Sequence, residues 1–259
     1  VINLTNKNII HEQQLGAEAY SCVLSVNKKE LFISLWGGDK VLVYDVDAKK
    51  ITGEIAVGDN PNELLHKKKE NILFVANAND NSVSVIDTKQ KKVLEVLNAA
   101  LYPNAPQGSA SNGLALSDDE KTLYIANADN NCLAVFDVEM PGFSKSKGFI
   151  PTGWYPTNVK VIGKKIFVSN GKGFESFANP YGPNPTQRRN EVIYQKGDPN
   201  KKVEVQYIGG LMKGTMSIID IPNDVALARY SKQVYDNTPY TKDKELNAAG
   251  ESGNPIPMK

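Results

Sequence analysis

The side chains that could carry out chemistry are few in this sequence. His11 and His66 are the only histidines, and they stand far apart in the chain. A zinc site takes about four Cys, His or carboxylate ligands, and a Ser-His-Asp site needs a histidine beside a nucleophile. His66 adjoins the lysine run 67–69, which favours a solvated histidine. We therefore predict no metal, no cofactor and no catalytic residue.

Two clusters of Asn and Asp, at 79–81 and 129–131, are similar to calcium loops. Neither has the spaced acidic residues and the closing glutamate that such loops use. Each cluster stands between two apolar runs, where a hairpin turn is required. Turn formation is therefore the favoured interpretation, with calcium binding as the alternative.

Three basic residues could bind anions. Lys172 stands between two glycines, but the spacing of a phosphate-binding loop is missing and no helix is predicted to follow. Arg188 and Arg189 are adjacent, and they could bind an acidic partner or form a solvated loop tip.

The elements that must position these residues repeat along the chain. The run 73–87 reads as an apolar strand, a polar turn and a second apolar strand that ends in aspartate, and it has relatives at 31–45 and 123–137. The closing residues Asp45, Asp87 and Asp137 are spaced 42 and 50 residues apart. This period is typical of a four-stranded propeller blade of roughly 40–50 residues.

The repeat predicts an all-β chain, a β-propeller with four four-stranded blades. Residues 1–4 and 9–15 are predicted to be two strands of a preceding blade, and 225–231 the last strand. The four blades would belong to a larger ring of about seven. Because an open arc exposes apolar faces, we predict that an adjacent domain or another protein chain completes the propeller.

The domain boundaries follow from the same repeat. Residues 1–235 are predicted to form the blades, with an insertion at 171–214 in the last one, and 236–259 a C-terminal linker. Long loops with aromatic residues are usually functional, so the insertion is the predicted interaction loop. Its candidate residues are Lys172, Phe174, Phe177, Tyr181, Arg188, Arg189, Tyr194 and Tyr207.

Composition excludes some classes of function. Thirty basic and 29 acidic residues leave a net charge of +1, so no charge bias attracts nucleic acid. No apolar run approaches the roughly 20 residues of a membrane span.

Cys22 and Cys132 are predicted to be small buried hydrophobic residues. The strand-end residues Asn77, Asn127 and Asn170 are predicted to satisfy backbone groups of the turns.

The pattern LFVAN…NSVSVID at 73–87, repeated at 123–137, resembles the YVTN-type (YncE-like) propeller repeat. Residues 153–257, with Asn179-Pro180-Tyr181-Gly182-Pro183 and Tyr207-Ile208-Gly209-Gly210, look like the last blade of bacterial proteins in which such a propeller precedes an alkaline-phosphatase-superfamily phosphoesterase. The resemblance implies a periplasmic or extracellular protein, whose phosphoesterase residues lie outside this sequence.

These observations leave three hypotheses for function. The first is a non-catalytic binding or scaffolding propeller, the N-terminal part of an exported phosphoesterase. The second is a propeller enzyme in its own right, lactonase-like or similar to a quinone-cofactor dehydrogenase. The third is a structural subunit of a surface assembly.

Overall fold

Three four-stranded antiparallel sheets and one three-stranded sheet follow one another along the chain. This computed structural model describes residues 1–103, 105–173, 192–194, 202–204 and 212–238. The first sheet contains β1 (Glu18–Leu24), β2 (Glu30–Trp36), β3 (Lys40–Asp45) and β4 (Lys50–Ala56). The second contains β5 (Pro61–His66), β6 (Ile72–Asn77), β7 (Ser82–Asp87) and β8 (Lys92–Asn98). The third contains β9 (Ser111–Leu116), β10 (Thr122–Asn127), β11 (Cys132–Asp137) and β12 (Lys145–Pro151).

The fourth sheet differs from the others in its number of strands. It contains β13 (Trp154–Ile162), β14 (Lys165–Gly173) and β17 (Thr215–Asp220). Between the last two strands, β15 (Val192–Tyr194) and β16 (Lys202–Glu204) form a separate two-stranded hairpin. The fourth sheet therefore repeats the first three strands of the other blades and has no fourth strand among the described residues.

The sheets are arranged as propeller blades. The first strands lie side by side at the centre of the arc, with β1 next to β5, β5 next to β9 and β9 next to β13. Within each sheet the strands follow in sequence order, from this inner edge outward. The predicted β-propeller is therefore confirmed, and four blades are present in the described part of the chain.

Apolar side chains on both faces of the middle strands build the cores between blades. Phe32 of blade 1 packs with Leu73 and Val75 of blade 2. Phe74, on the opposite face of blade 2, packs with Leu123 and Ile125 of blade 3. Such strands read as continuous apolar runs because neighbouring sheets cover both of their faces.

The predicted strand at 225–231 is wrong, because this segment lies in a helix, α1 (Asp224–Asn237). The Asn223 side chain accepts a hydrogen bond from the Ala226 N–H at 2.9 Å and caps the first turn. Asp224 in that turn complements the helix dipole. These capping residues direct the chain into a helix where blades 1–3 have a fourth strand.

Helix α1 packs along β12, the outer strand of blade 3. Leu227 and Val234 are buried in the interfaces between blades. The Ser231 hydroxyl accepts from the Phe149 N–H at 2.9 Å and donates to the Leu227 carbonyl at 2.9 Å. The Tyr235 hydroxyl donates to the Leu101 carbonyl at 2.8 Å. The helix thus covers a strand edge that would otherwise be open.

The N-terminal residues also differ from their prediction. Of the two strands expected at 1–4 and 9–15, only a single bridge between Ile2 and Ile9 forms. Leu4 is 91% exposed. A two-stranded ribbon with no neighbouring sheet buries too little apolar surface to be stable. Leu15 nevertheless packs on the free face of blade 1.

Three further side chains occupy environments that the sequence did not predict. The predicted burial of the cysteines is wrong for Cys22, which is exposed, and confirmed for Cys132; both are free thiols. His66 is half-buried, packs beside Phe32, and has its Nδ1 atom 2.7 Å from the Lys67 carbonyl. Lys67 itself is only 2% exposed and donates to the Val138 carbonyl of blade 3 at 3.2 Å. No helix in the described ranges has the length and apolar character that a membrane crossing requires.

Candidate functional site

The Asn and Asp clusters join neighbouring blades. Asn81 has a left-handed backbone with φ of 52°, and its side chain accepts from the Gly108 N–H at 2.9 Å. Asn131 occupies the same place in blade 3 and accepts from the Tyr155 N–H at 2.8 Å. Asp80 accepts from the Asp59 N–H at 2.6 Å. The Asn81 and Asn131 oxygens are therefore used by backbone that leads into the next blade, and the Asp80 oxygen by backbone that leads into its own blade.

The strand-end amides act in a related way. Asn77 donates to the hydroxyls of Ser82 and Ser84 at 2.9 and 3.0 Å. Asn170 donates likewise to hydroxyl groups of β17, whereas Asn127 donates to the Ala99 carbonyl at 2.6 Å. The prediction that these amides satisfy turn backbone is therefore wrong for Asn77, which bonds hydroxyl groups. Asn127 bonds a backbone carbonyl in the loop between blades 2 and 3, and Asn170 has a backbone partner, the Val168 carbonyl at 3.5 Å, beside its hydroxyl partners.

A left-handed residue stands at the start of the first strand in three successive blades. These residues are Asn60 with φ of 51°, Ala110 with φ of 49° and Tyr155 with φ of 61°. Asn60 and Ala110 directly precede β5 and β9, whereas Tyr155 is the second residue of β13. The strand register shifts at Tyr155 and directly after the other two positions, so the conformation is imposed by the fold. Asn adopts this conformation readily, but a bulky residue is an outlier there. Tyr155 is consequently the member of this set whose side chain is chemically unexpected.

The ring of Tyr155 lies beneath a cation. The Lys172 ammonium sits 4.1 Å from the ring centroid, at a distance typical of a cation–π contact. Burial raises the pKa of the Tyr155 phenol, and the negative charges of Asp129 and of ionised Tyr20 raise it further. The phenol is therefore neutral and protonated near pH 7.

A second aromatic pair is linked to Tyr155 through Tyr20, whose charge reaches the Tyr155 phenol. Tyr20 on β1 stacks on Trp36 at the end of β2, with ring centroids 5.5 Å apart and planes at 26°. Tyr20 is 54% exposed. We call Tyr20, Trp36, Tyr155 and Lys172 the aromatic mouth. The aromatic mouth lies where β1 and β13 begin. This is the face of the propeller on which the second strand of each blade turns into the third, and we call it the turn face.

Comparison with known proteins identifies the family. A family model described as lactonase, 7-bladed beta-propeller, matches residues 1–173. The chain belongs to this lactonase seven-bladed β-propeller family. No curated protein matches the sequence.

A search of solved structures returns the hydrazine synthase of Kuenenia stuttgartiensis. It is 25% identical, with a TM-score of 0.49, over 61% of this chain and 46% of that one. The chain therefore spans about half the length of the structure that it matches.

Of the predicted interaction residues of this lactonase-family propeller, the structure describes two and leaves six outside the described ranges. Lys172 lies on the extended end of β14 and belongs to the aromatic mouth. Tyr194 ends β15, which the structure describes as backbone. The remaining candidates lie outside the described residues: Phe174, Phe177, Tyr181, Arg188, Arg189 and Tyr207.

Sequence reasoning missed the other three members of the aromatic mouth. One signal was present, because aligning the blades places Tyr155 opposite Asn60 and Ala110. Tyr20 and Trp36 carry no such signal, since their meeting depends on the pairing of β1 with β2.

The aromatic mouth offers contact surface in place of acid–base groups. Among the residues that the structure describes, no three His, Cys, Asp or Glu side chains gather closely enough to hold a metal. The mouth itself presents three rings, a neutral phenol and one ammonium group. This set of groups suits recognition by stacking and by charge.

Proposed function

We propose that the chain is a non-catalytic binding propeller that recognises a partner protein through the aromatic mouth. The observation that carries this proposal is the tyrosine at the left-handed position at the start of β13, with the Lys172 ammonium above its ring. A left-handed backbone costs a residue with a Cβ atom roughly 1–2 kcal/mol. Such strain persists where the surrounding structure supports it, often at ligand contacts.

The composition of the mouth fits protein recognition. Tyr and Trp are enriched among the residues that dominate binding energy at interfaces. Tyr20 and Trp36 stack on each other, so their side chains lose little freedom when a partner binds. Lys172 lies on β14, at the start of the predicted insertion.

Affinity capture with matched variants tests this proposal. The immobilised chain is compared with Lys172→Met, which removes the ammonium, and with Lys145→Met, which removes an exposed lysine on β12. We expect one protein to be retained by the wild type and by the β12 variant and lost with Lys172→Met and Tyr155→Asn. Equal retention by all four proteins would contradict recognition through the mouth.

The second candidate function is hydrolysis of a lactone, which the family match over residues 1–173 favours. In this reaction water adds to the ring carbonyl and the acyl–oxygen bond breaks, giving a hydroxy acid. A panel of lactones with pH-stat detection separates the two functions. Turnover by the wild type that falls in Tyr155→Asn and Lys172→Met would favour the enzyme.

The resemblance to YncE-like propellers supports a finer proposal, that the chain is part of an exported protein with a phosphoesterase domain. The four described blades are fewer than the seven of the family, which supports completion of the ring by further blades. Assay of a generic phosphate ester with this chain and with a longer protein tests the proposal. Equal activity in the two would count against it.

A further inference from the structure

A cavity of about 880 Å³ opens on the turn face, outside the aromatic mouth. It lies between the turn of blade 3, the start of β13 and the last turn of α1. Its walls include Tyr102, Asp129, Asn131, Thr152, Trp154 and Asn237. The volume is within the range of small-molecule sites, and the mixture of aromatic and polar groups is typical of them.

The bulge at the start of β13 directs two consecutive aromatic residues to two different sites. Tyr155 lies under Lys172 in the aromatic mouth. Trp154 lines the cavity and keeps 40% of its surface exposed. Tyr102 provides a second ring in the wall. The exposed ring of Trp154 therefore gives the cavity an aromatic surface that a ligand can reach.

Negative potential comes from two independent sources. Asp129 has an exposed side chain on the short 3-10 turn Ala128–Asn130. The C-terminal end of α1 adds the partial negative charge of its last carbonyl groups. That last turn has no basic residue, and Lys232, one turn earlier, is paired with Asp236 at 2.6 Å.

The described lining contains no lysine and no arginine, and Lys172 lies over the neighbouring Tyr155 ring rather than in the lining. Aromatic faces, a carboxylate and a helix C-terminus all attract a cation. Trp is the strongest aromatic partner of cations, and quaternary ammonium groups are bound by aromatic cages. We propose that this cavity is a binding site for an organic cation, an amine or a quaternary ammonium compound.

The test uses choline as the probe and 3,3-dimethylbutan-1-ol as its neutral isostere. Trp36 and Trp154 are the only tryptophans, so Trp36→Phe leaves Trp154 as the single fluorescent reporter. Titration of this variant is repeated by calorimetry with the wild-type chain, and ionic strength is held constant with sodium chloride. We expect saturable binding of choline and at least about tenfold weaker binding of the isostere.

Three substitutions locate the binding. Asp129→Asn keeps the shape of the side chain and removes its charge, and Trp154→Leu removes the ring; each should weaken choline binding by about tenfold. Asp47→Asn changes the net charge equally at an exposed position on the opposite face and should leave the affinity unchanged. Circular dichroism checks folding, and Trp154→Phe should retain part of the affinity if Trp154→Leu is poorly folded.

Several results would overturn the inference. One is the absence of a saturable choline signal, and another is equal choline affinity of the Asp129 and Asp47 variants. Equal affinity for the isostere or for glucose would instead show a site for neutral ligands. All of these outcomes are read from choline binding, so they can be distinguished from the capture of a protein by the aromatic mouth.

Discussion

Replacement of Gly148 by alanine should detach α1 from blade 3. Gly148 has φ of 133°, a conformation that residues with a side chain rarely adopt. A Cβ atom there would lie only 2.3 Å from the Ser231 hydroxyl oxygen. Rotation of that hydroxyl would relieve the contact but would break its bonds to Phe149 and Leu227.

The expected cost has two parts. Backbone strain at such an angle is of order 1–3 kcal/mol. Loss of the partner of the half-buried Phe149 N–H costs roughly 1–3 kcal/mol more. Gly148→Ala should therefore lower the free energy of unfolding by about 2–6 kcal/mol, whereas Ser231→Ala should lower it by about 1–3 kcal/mol.

Urea unfolding followed by circular dichroism measures both changes, and a double-mutant cycle separates them. In Gly148→Ala/Ser231→Gly the steric contact is absent, so the double variant should be more stable than the sum of the single effects by at least about 1 kcal/mol. Gly163→Ala, at an open turn with φ of 58°, controls for strain without a steric neighbour. A Gly148→Ala cost no larger than that of this control would refute the reasoning.

Further expectations concern stability and thiol chemistry. Tyr155→Asn should raise the free energy of unfolding by about 1 kcal/mol in urea titrations, because Asn tolerates a left-handed backbone; a loss of stability would contradict the strain. Burial raises the pKa of the Cys132 thiol to about 12, so the stability that it contributes is present below pH 9 and is lost as pH rises towards 12. Over that pH range the free energy of unfolding should fall by up to about 4 kcal/mol more in the wild type than in Cys132→Ala. A thiol reagent should modify only Cys22 while the protein is folded. Lys67→Met should destabilise the fold by about 1–3 kcal/mol because it removes a buried donor, whereas thermal unfolding of the exposed control Lys69→Met should match the wild type.

The sequence predicted the blades because their signal is local and repeated. Each copy of the pattern at 73–87 pairs its two strands directly, from Ile72 opposite Asp87 to Asn77 opposite Ser82. Apolar alternation and turn residues are sufficient to indicate such a hairpin. The same reasoning placed the turns at Asn81 and Asn131.

The failures occur where the outcome depends on contacts between distant segments. Residues 225–231 carry apolar positions that suit a strand, but the cap at Asn223 and packing on β12 make a helix. Lys67 stands in a lysine-rich run and is buried because blade 3 closes over it. Tyr20 approaches Tyr155 only because blades 1 and 4 curve around a common centre.

The first and fourth blades each pack on one neighbouring blade, whereas the second and third each pack on two. Blades 2 and 3 pack on a blade at each face, whereas Met216 and Ile218 on β17 are 63% and 58% exposed. In arrays where each unit contacts only the next, stability is a sum of unit and neighbour energies. Opening of β17 therefore breaks fewer contacts than opening of β6 or β10. Unfolding should begin at the fourth blade and travel toward the second, with the central pair as the last cooperative unit to open.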